Sequence, residues 1–176
     1  MAVDFVIRDA LDGERARVLE ITLDAYQEYG AVLPSEHWQR YREDIRRTLA
    51  DGTQAEQIVA VRNGAVVGAV LFYPAGAVLA VHSDKAVTLR WPELRLLAVP
   101  PGWRGQGIGA ALVRECIERA RRSGAKILAL HTTDMMKTAM RMYERLGFAR
   151  APELDFKPAA DLTVKGYQLD LADKTD

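Results

Sequence analysis

The sequence predicts an α/β (α+β) fold: a mixed, strongly twisted sheet of about six to seven strands with helices on both faces. Three observations carry this expectation. In the second half of the chain, β-type apolar runs alternate with helix-period stretches. In the middle, two runs rich in β-branched residues flank Asn63-Gly64, the strongest short hairpin signal, so some neighbouring strands are antiparallel. Over 176 residues, 49% are hydrophobic and 27% charged, which suits one globular domain with a single core.

The elements follow in chain order. Val3 to Arg8 alternates weakly and reads as a first strand. Asp12 is placed to cap a helix from Gly13 to about Tyr29, with Val18, Thr22, Ala25 and Tyr29 on one face. Behind Pro34, Ser35 opens a second helix that carries Trp38, Tyr41, Ile45, Thr48 and Leu49 at helical spacing and ends at Asp51-Gly52. Gln57 to Arg62 and Ala65 to Tyr73 are the two hairpin strands, and Pro74 stops the second. Ala75 to Pro92 reads either as short extra strands or as a long loop. Glu93 to Val99 is a buried strand closed by Pro100-Pro101. Gly107 to Ser123 is a helix with Ile108, Leu112, Cys116 and Ala120 along one side and Gly124 as its stop. A buried strand over Lys126 to Thr133, a helix from Met135 to Leu146 ended by Gly147, and a last strand from Val164 to Leu171 complete the order.

Gly102, Gly105, Gly107 and Gly109 crowd the entrance to the third helix. Glycine inside a helix costs about 1 kcal/mol against alanine, so the cluster needs a turn, a close packing contact or a ligand that approaches the backbone. A P-loop fails, because Ile108-Gly109 stands where Lys-Ser/Thr is required. A dinucleotide fingerprint fits Gly105, Gly107 and Ala110 but sits too far beyond the strand end, with Pro100 to Arg104 intervening. The third pattern is Arg104-Gly105-Gln106-Gly107-Ile108-Gly109, an R/Q-x-x-G-x-G/A run. A helix start offers unpaired N–H groups and a partial positive charge to a pyrophosphate, and side chains at 105, 107 or 109 would obstruct its approach. The bland alternative is a glycine-rich connection needed only for helix–strand packing.

With this run, and with "MYERLGF" one strand later, the chain resembles the GNAT superfamily of acyl-CoA-dependent N-acyltransferases. The resemblance implies a cofactor site made of Arg104, Gly105, Gln106, Gly107, Ile108, Gly109 and Ala110 around the pyrophosphate. It further implies that the backbone of Leu97, Ala98 and Val99 holds the pantetheine, on a strand that carries a bulge and parts from its neighbour. The N–H of Leu97 would then face the thioester oxygen. Tyr143 corresponds to the residue beside the cofactor sulfur. Met136 is a departure, since relatives often have Asn there.

Glu93 lies six residues before Val99, the spacing of a catalytic glutamate in some relatives, and its neighbours Trp91, Pro92 and Leu94 are apolar. It is a candidate base, because a protonated amine cannot attack. The competing reading is an exposed carboxylate paired with Arg95. His131 is the other candidate base, or a hydrogen-bonded core histidine. Cys116 reads as core and Tyr143 alternatively as core.

Lys+Arg and Asp+Glu balance at 24 each, which argues against nucleic acid or a membrane as a partner. One cysteine and three histidines form no metal-site pattern and allow no intrachain disulfide, so the default compartment is the cytoplasm. The expectation is therefore one domain over residues 1–171 with a polar tail over 172–176. It would transfer an acetyl group from acetyl-CoA, the co-substrate, to a primary amine of small-molecule or peptide type by direct attack, with no metal. A homodimer is allowed. A non-catalytic acyl-CoA-binding module and a dinucleotide enzyme are the competing classes.

Overall fold

Asn63 and Gly64 adopt φ of 49° and 78°, the left-handed pair that a two-residue hairpin turn demands. They join β2 (Glu56–Arg62) to β3 (Ala65–Tyr73), as the sequence predicts. The computed structural model describes residues 4–51, 54–81 and 85–172. Val3, Gly52, His82 and the tail beyond Ala172 lie outside that set. The chain forms two compact units: Met1–Phe72 with Leu96–Glu115, and Tyr73–Arg95 with Cys116–Asp176.

In the first unit β1 (Val6–Asp9) pairs antiparallel with β2, and β2 with β3, with an irregularity between Ala60 and Val61. β3 is buried at every residue after Ala65, so it is covered on both faces. Beside it runs β6 (Glu93–Ala98), whose last three residues belong to this unit. α3 (Ile108–Arg122) begins here, and Gly68 lets it come close: a Cβ at position 68 would stand 2.7 Å from Ile108 Cγ2 and 3.1 Å from Leu112 Cδ1. A glycine inside an apolar strand is the sequence mark of such an approach.

α1 (Arg15–Tyr26) is shorter than expected, because single 3-10 turns over Asp12–Glu14 and Gln27–Ala31 flank it. Asp12 does not cap it. Glu14 does the local work, accepting the Leu11 N–H at 2.8 Å and both arms of Arg8 at 2.8 Å. α2 (Ser35–Ala50) packs on α1 through the edge-to-face contact of Tyr41 with Tyr26, and Trp38 meets Tyr41 edge to face within α2.

In the second unit the ambiguous segment is a hairpin: β4 (Val78–Val81) with β5 (Lys85–Thr88), in register Val78↔Thr88 to Val81↔Lys85. The first residues of β6 pair parallel with β7 (Ile127–Thr132), Glu93 against Ala129 and Leu94 against Leu130. α4 (Lys137–Arg145) ends at Gly147, φ 96°, and the second part of α3 ends at Gly124, φ 76°, as expected of helix stops. Cys116 is fully buried. Two strands were not legible: β8 (Ala149–Arg150) and β9 (Phe156–Ala159). Both pair antiparallel with β10 (Leu162–Asp170), which pairs over Lys165 to Asp170 with β7. The sheet is therefore mixed and mostly antiparallel, as the fold class requires. Among the described residues, no helix is long and apolar enough to cross a membrane.

Two carboxylates make an acid-sensitivity prediction. Hydrogen bonds from Arg8 and then from the Leu11 N–H hold Glu14 at about 2, below its ordinary 4.5. Hydrogen bonds from Arg150 and then from the Gly166 N–H hold Asp155 at about 2, below its ordinary 3.8. A depressed carboxyl stabilises the fold above its unfolded value, and that contribution is lost as pH falls through the folded value. Melting temperature is expected to drop between these limits, and less steeply in Glu14→Gln and Asp155→Asn than in wild type. Parallel slopes in all three proteins would refute it.

Candidate functional site

Two groups of residues carry chemistry, one in each unit. In the first, Pro100 ends the strand and a 3-10 turn, Pro101–Trp103, redirects the chain. Gly105 and Gly107 follow at φ 76° and 80°, a left-handed backbone that only glycine adopts without strain. A Cβ at either position would meet no atom within 4 Å, so the space above this backbone is open. The earliest bond closing α3 here runs from Ala111 N–H to Gly107 C=O, 3.0 Å. The N–H groups of Ile108, Gly109 and Ala110 precede it and have no acceptor in the helix. Ile108 is buried and anchors the loop, while Gly105, Gln106 and Gly107 are exposed. The loop thus leaves open space above the N–H groups of a helix start, and the residues present fit a pyrophosphate.

Arg104, expected beside the pyrophosphate, is engaged with protein groups in this structure. Its Nε donates to Val99 C=O at 3.0 Å, Nη1 to Glu28 at 3.0 Å and Nη2 to Ala25 C=O at 2.9 Å. It ties the loop to the end of α1, so its first effect is to hold the cradle in place. Gln106 is held likewise, accepting Arg62 Nη1 at 2.7 Å. Neither Glu28 nor Arg62 was legible as a partner, since Glu28 is 76 residues from Arg104 and Arg62 is 44 from Gln106.

At Leu96 β6 takes φ 50°, a left-handed conformation in mid-strand. For a leucine this costs about 1–2 kcal/mol. The irregularity lies just before Leu97, Ala98 and Val99; Ala98 is buried and the other two are half-buried.

In the second unit, Glu93 is 4% exposed, which corrects the reading of a solvent-exposed carboxylate. Its surroundings are also less apolar than its sequence neighbours suggest. Oε1 faces His131 Nδ1 at 3.2 Å and Arg95 Nε at 3.5 Å. His131 Nε2 faces Leu154 C=O at 3.0 Å, and the ring meets Phe156 edge to face at 5.4 Å. Burial works against the charge on His131, but the hydrogen bond to Glu93, its charge and the Leu154 carbonyl outweigh it, so the pKa lies above the ordinary 6.5. The carboxylate–imidazole pair arises because parallel register sets Glu93 beside Ala129, two residues from His131.

Tyr143 is buried on α4, edge to face with Phe148 at 5.9 Å. Met136 occupies the position before α4 and offers no side-chain cap. Among the described residues, no group of three or more His, Cys, Asp or Glu could hold a metal ion.

The family model described as Acetyltransferase (GNAT) family matches residues 16–148. Aminoalkylphosphonate N-acetyltransferase of Salmonella typhimurium is 31% identical over 115 residues, 65% of this chain and 69% of that protein. The chain spans from 25% to 69% of the length of the curated relatives it matches. Among solved structures, histone acetyltransferase HPA2 and related acetyltransferase from Corynebacterium glutamicum superposes with a TM-score of 0.68 at 19% identity, over 98% of this chain and 99% of that one. A GNAT family acetyltransferase from Brucella melitensis in complex with acetyl-CoA gives 0.59 at 24% identity, over 93% and 88%.

Proposed function

This chain belongs to the acetyltransferase (GNAT) family, and on that premise we propose that it transfers an acetyl group from acetyl-CoA to a primary amine by direct attack. The observation that carries the reading is the open cradle at Gly105 and Gly107 where α3 begins. The N–H groups of Gly105 to Ala110 would bind the pyrophosphate, with Arg104 and Gln106 fixing the loop. The backbone of Leu97, Ala98 and Val99, next to the irregular Leu96, would hold the pantetheine. The co-substrate supplies an activated acyl group as a thioester. Attack on it develops an oxyanion, for which the Leu97 N–H is the donor, and one preorganised donor is worth about 3 kcal/mol. Glu93 would take the proton an ammonium must lose, and Tyr143 would donate a hydrogen bond to the departing thiolate.

The reading covers residues 1–171 as one catalytic domain in the cytoplasm, with no metal, nucleic-acid or membrane partner; a homodimer is compatible with it. The name of the Salmonella relative, an aminoalkylphosphonate N-acetyltransferase, supports an amine acceptor. A non-catalytic CoA-binding module is the second reading, favoured by Met136 at the place of the usual Asn. Acetyl-CoA turnover against a panel of primary amines separates the two: thiol release with at least one amine is expected, and CoA binding without turnover would leave the second.

Tyr143→Phe is expected to lower kcat about 10²-fold with little change in KM. A tyrosine that only packs against Phe148 would leave kcat intact, with a stability loss of at most about 1 kcal/mol. Steady-state kinetics beside a melting curve decides.

A further inference from the structure

Two arginine–carboxylate pairs of this protein show the geometry of a closed ion pair. Arg8 meets Glu14 with both arms at 2.8 Å, and Arg150 meets Asp155 with its arms at 2.9 and 2.8 Å. Arg95 does not pair in that way. Only its Nε faces Glu93 Oε1, at 3.5 Å and without a hydrogen bond. Nη1 and Nη2 therefore have no hydrogen-bond partner among the described residues. The Arg95 side chain is 32% exposed, so a ligand can reach this open fork.

Glu93 is also only half satisfied. His131 and Arg95 both face Oε1, which leaves Oε2 without a donor among the described residues, although the side chain is 6% exposed. A buried carboxylate oxygen without a donor is costly, and water or a ligand normally supplies one. The two open groups lie two residues apart on β6, one negative and one positive.

We propose that Arg95 selects the acceptor: its free fork binds a carboxylate while Glu93 Oε2 receives the ammonium of a small zwitterionic amine, an amino acid whose two charges are close neighbours. The proposal rests on the transferase reading above and names the substrate class of the same site. Charge decides against other amines. A simple ammonium gains Glu93 but faces the Arg95 guanidinium uncompensated, and a diamine brings a second cation to it. A zwitterion presents the opposite charge to each group, and a planar carboxylate matches two parallel N–H bonds of the fork. The ammonium gives one proton to Glu93, its nitrogen forms the new C–N bond as the thioester C–S bond breaks, and a second nitrogen proton passes to the departing thiolate. The substrate carboxylate stays on Arg95 unchanged.

The test is steady-state kinetics of the whole protein with acetyl-CoA and a panel of amino acids, each set beside its carboxamide and its decarboxylated amine. At least one amino acid is expected to turn over, with kcat/KM about 10-fold to 10²-fold above both matched amines. In Arg95→Met that ratio is expected to fall to near unity. Arg95→Lys keeps the charge without the fork and is expected to keep part of the ratio. The ratio is taken within one variant, so a loss of stability or a change at Glu93 acts on both substrates and cancels. Melting curves set the temperature at which each variant is folded. Matched amines turned over by wild type as well as the amino acids, or a ratio that Arg95→Met leaves intact, would overturn the assignment while the transferase reading stands. Absence of turnover with every amine removes the transferase reading and this substrate class together.

Discussion

Gly107→Val is expected to abolish CoA binding in a protein that still folds. Two effects combine at this residue. A Cβ here has no atom within 4 Å, so the added side chain projects into the open space above the loop. That space is where the pyrophosphate would lie against the N–H groups of Ile108, Gly109 and Ala110. The backbone also stands at φ 80°, which a β-branched residue adopts only with strain of about 1–2 kcal/mol. Gly107→Ala separates the two effects, since it keeps most of the strain and adds little bulk. Ligand at 100 times its Kd stabilises a protein by about 2.7 kcal/mol, an easily read rise in melting temperature. Wild type is expected to show that rise with CoA and none with NAD; Gly107→Val is expected to show neither. A valine variant stabilised by CoA like wild type would sink the anion-cradle reading.

Glu93→Gln is expected to lower kcat about 10²-fold or more and to flatten the rise of rate with pH. The substitution keeps the shape and a polar group facing His131 Nδ1, but it removes the charge. A stability loss of about 1–3 kcal/mol is expected as well, because Arg95 and His131 then face a neutral amide in place of the carboxylate. Kinetics must therefore be read below the variant's melting transition. If the pH–rate profile is unchanged there, the proton goes to water or to another group, and Glu93 is structural. A drop in kcat with an intact profile would point to misplacement of the amine and would equally refute the base.

Local chemistry made much of this molecule legible from its residues. Asn63-Gly64 announces a hairpin because few other pairs tolerate two successive left-handed residues. Gly124 and Gly147 end helices for the same reason, and their φ of 76° and 96° bear it out. The order of strands and helices follows from periodicity, which the chain carries within each segment. The glycine run before α3 is also local: a turn, a helix start and missing side chains lie within six consecutive residues, so the open turn at the helix start could be read without knowing what surrounds it. Where local signals were weak, the reading stayed open. β4 and β5 lack a glycine turn pair, and β8 and β9 are short strands that owe their conformation to pairing with β10.

The tertiary structure alone decided who faces whom. Arg104 carries the motif, yet its donors go to Glu28, Ala25 and Val99, and only the folding of α1 toward the loop sets that. Glu93 and His131 stand 38 residues apart and meet because β6 and β7 run in parallel register. Leu154 joins them only because Gly166, across the strand pair from His131, has no side chain: a Cβ there would stand 2.3 Å from Leu154 Cβ. Leu96 gives no sign of its φ of 50° in its residue type, since a leucine holds that conformation at a cost only where the surrounding structure fixes it. Conformational preference is written residue by residue, whereas proximity between distant residues is settled when the whole chain minimises its exposed apolar surface and pairs its buried polar groups.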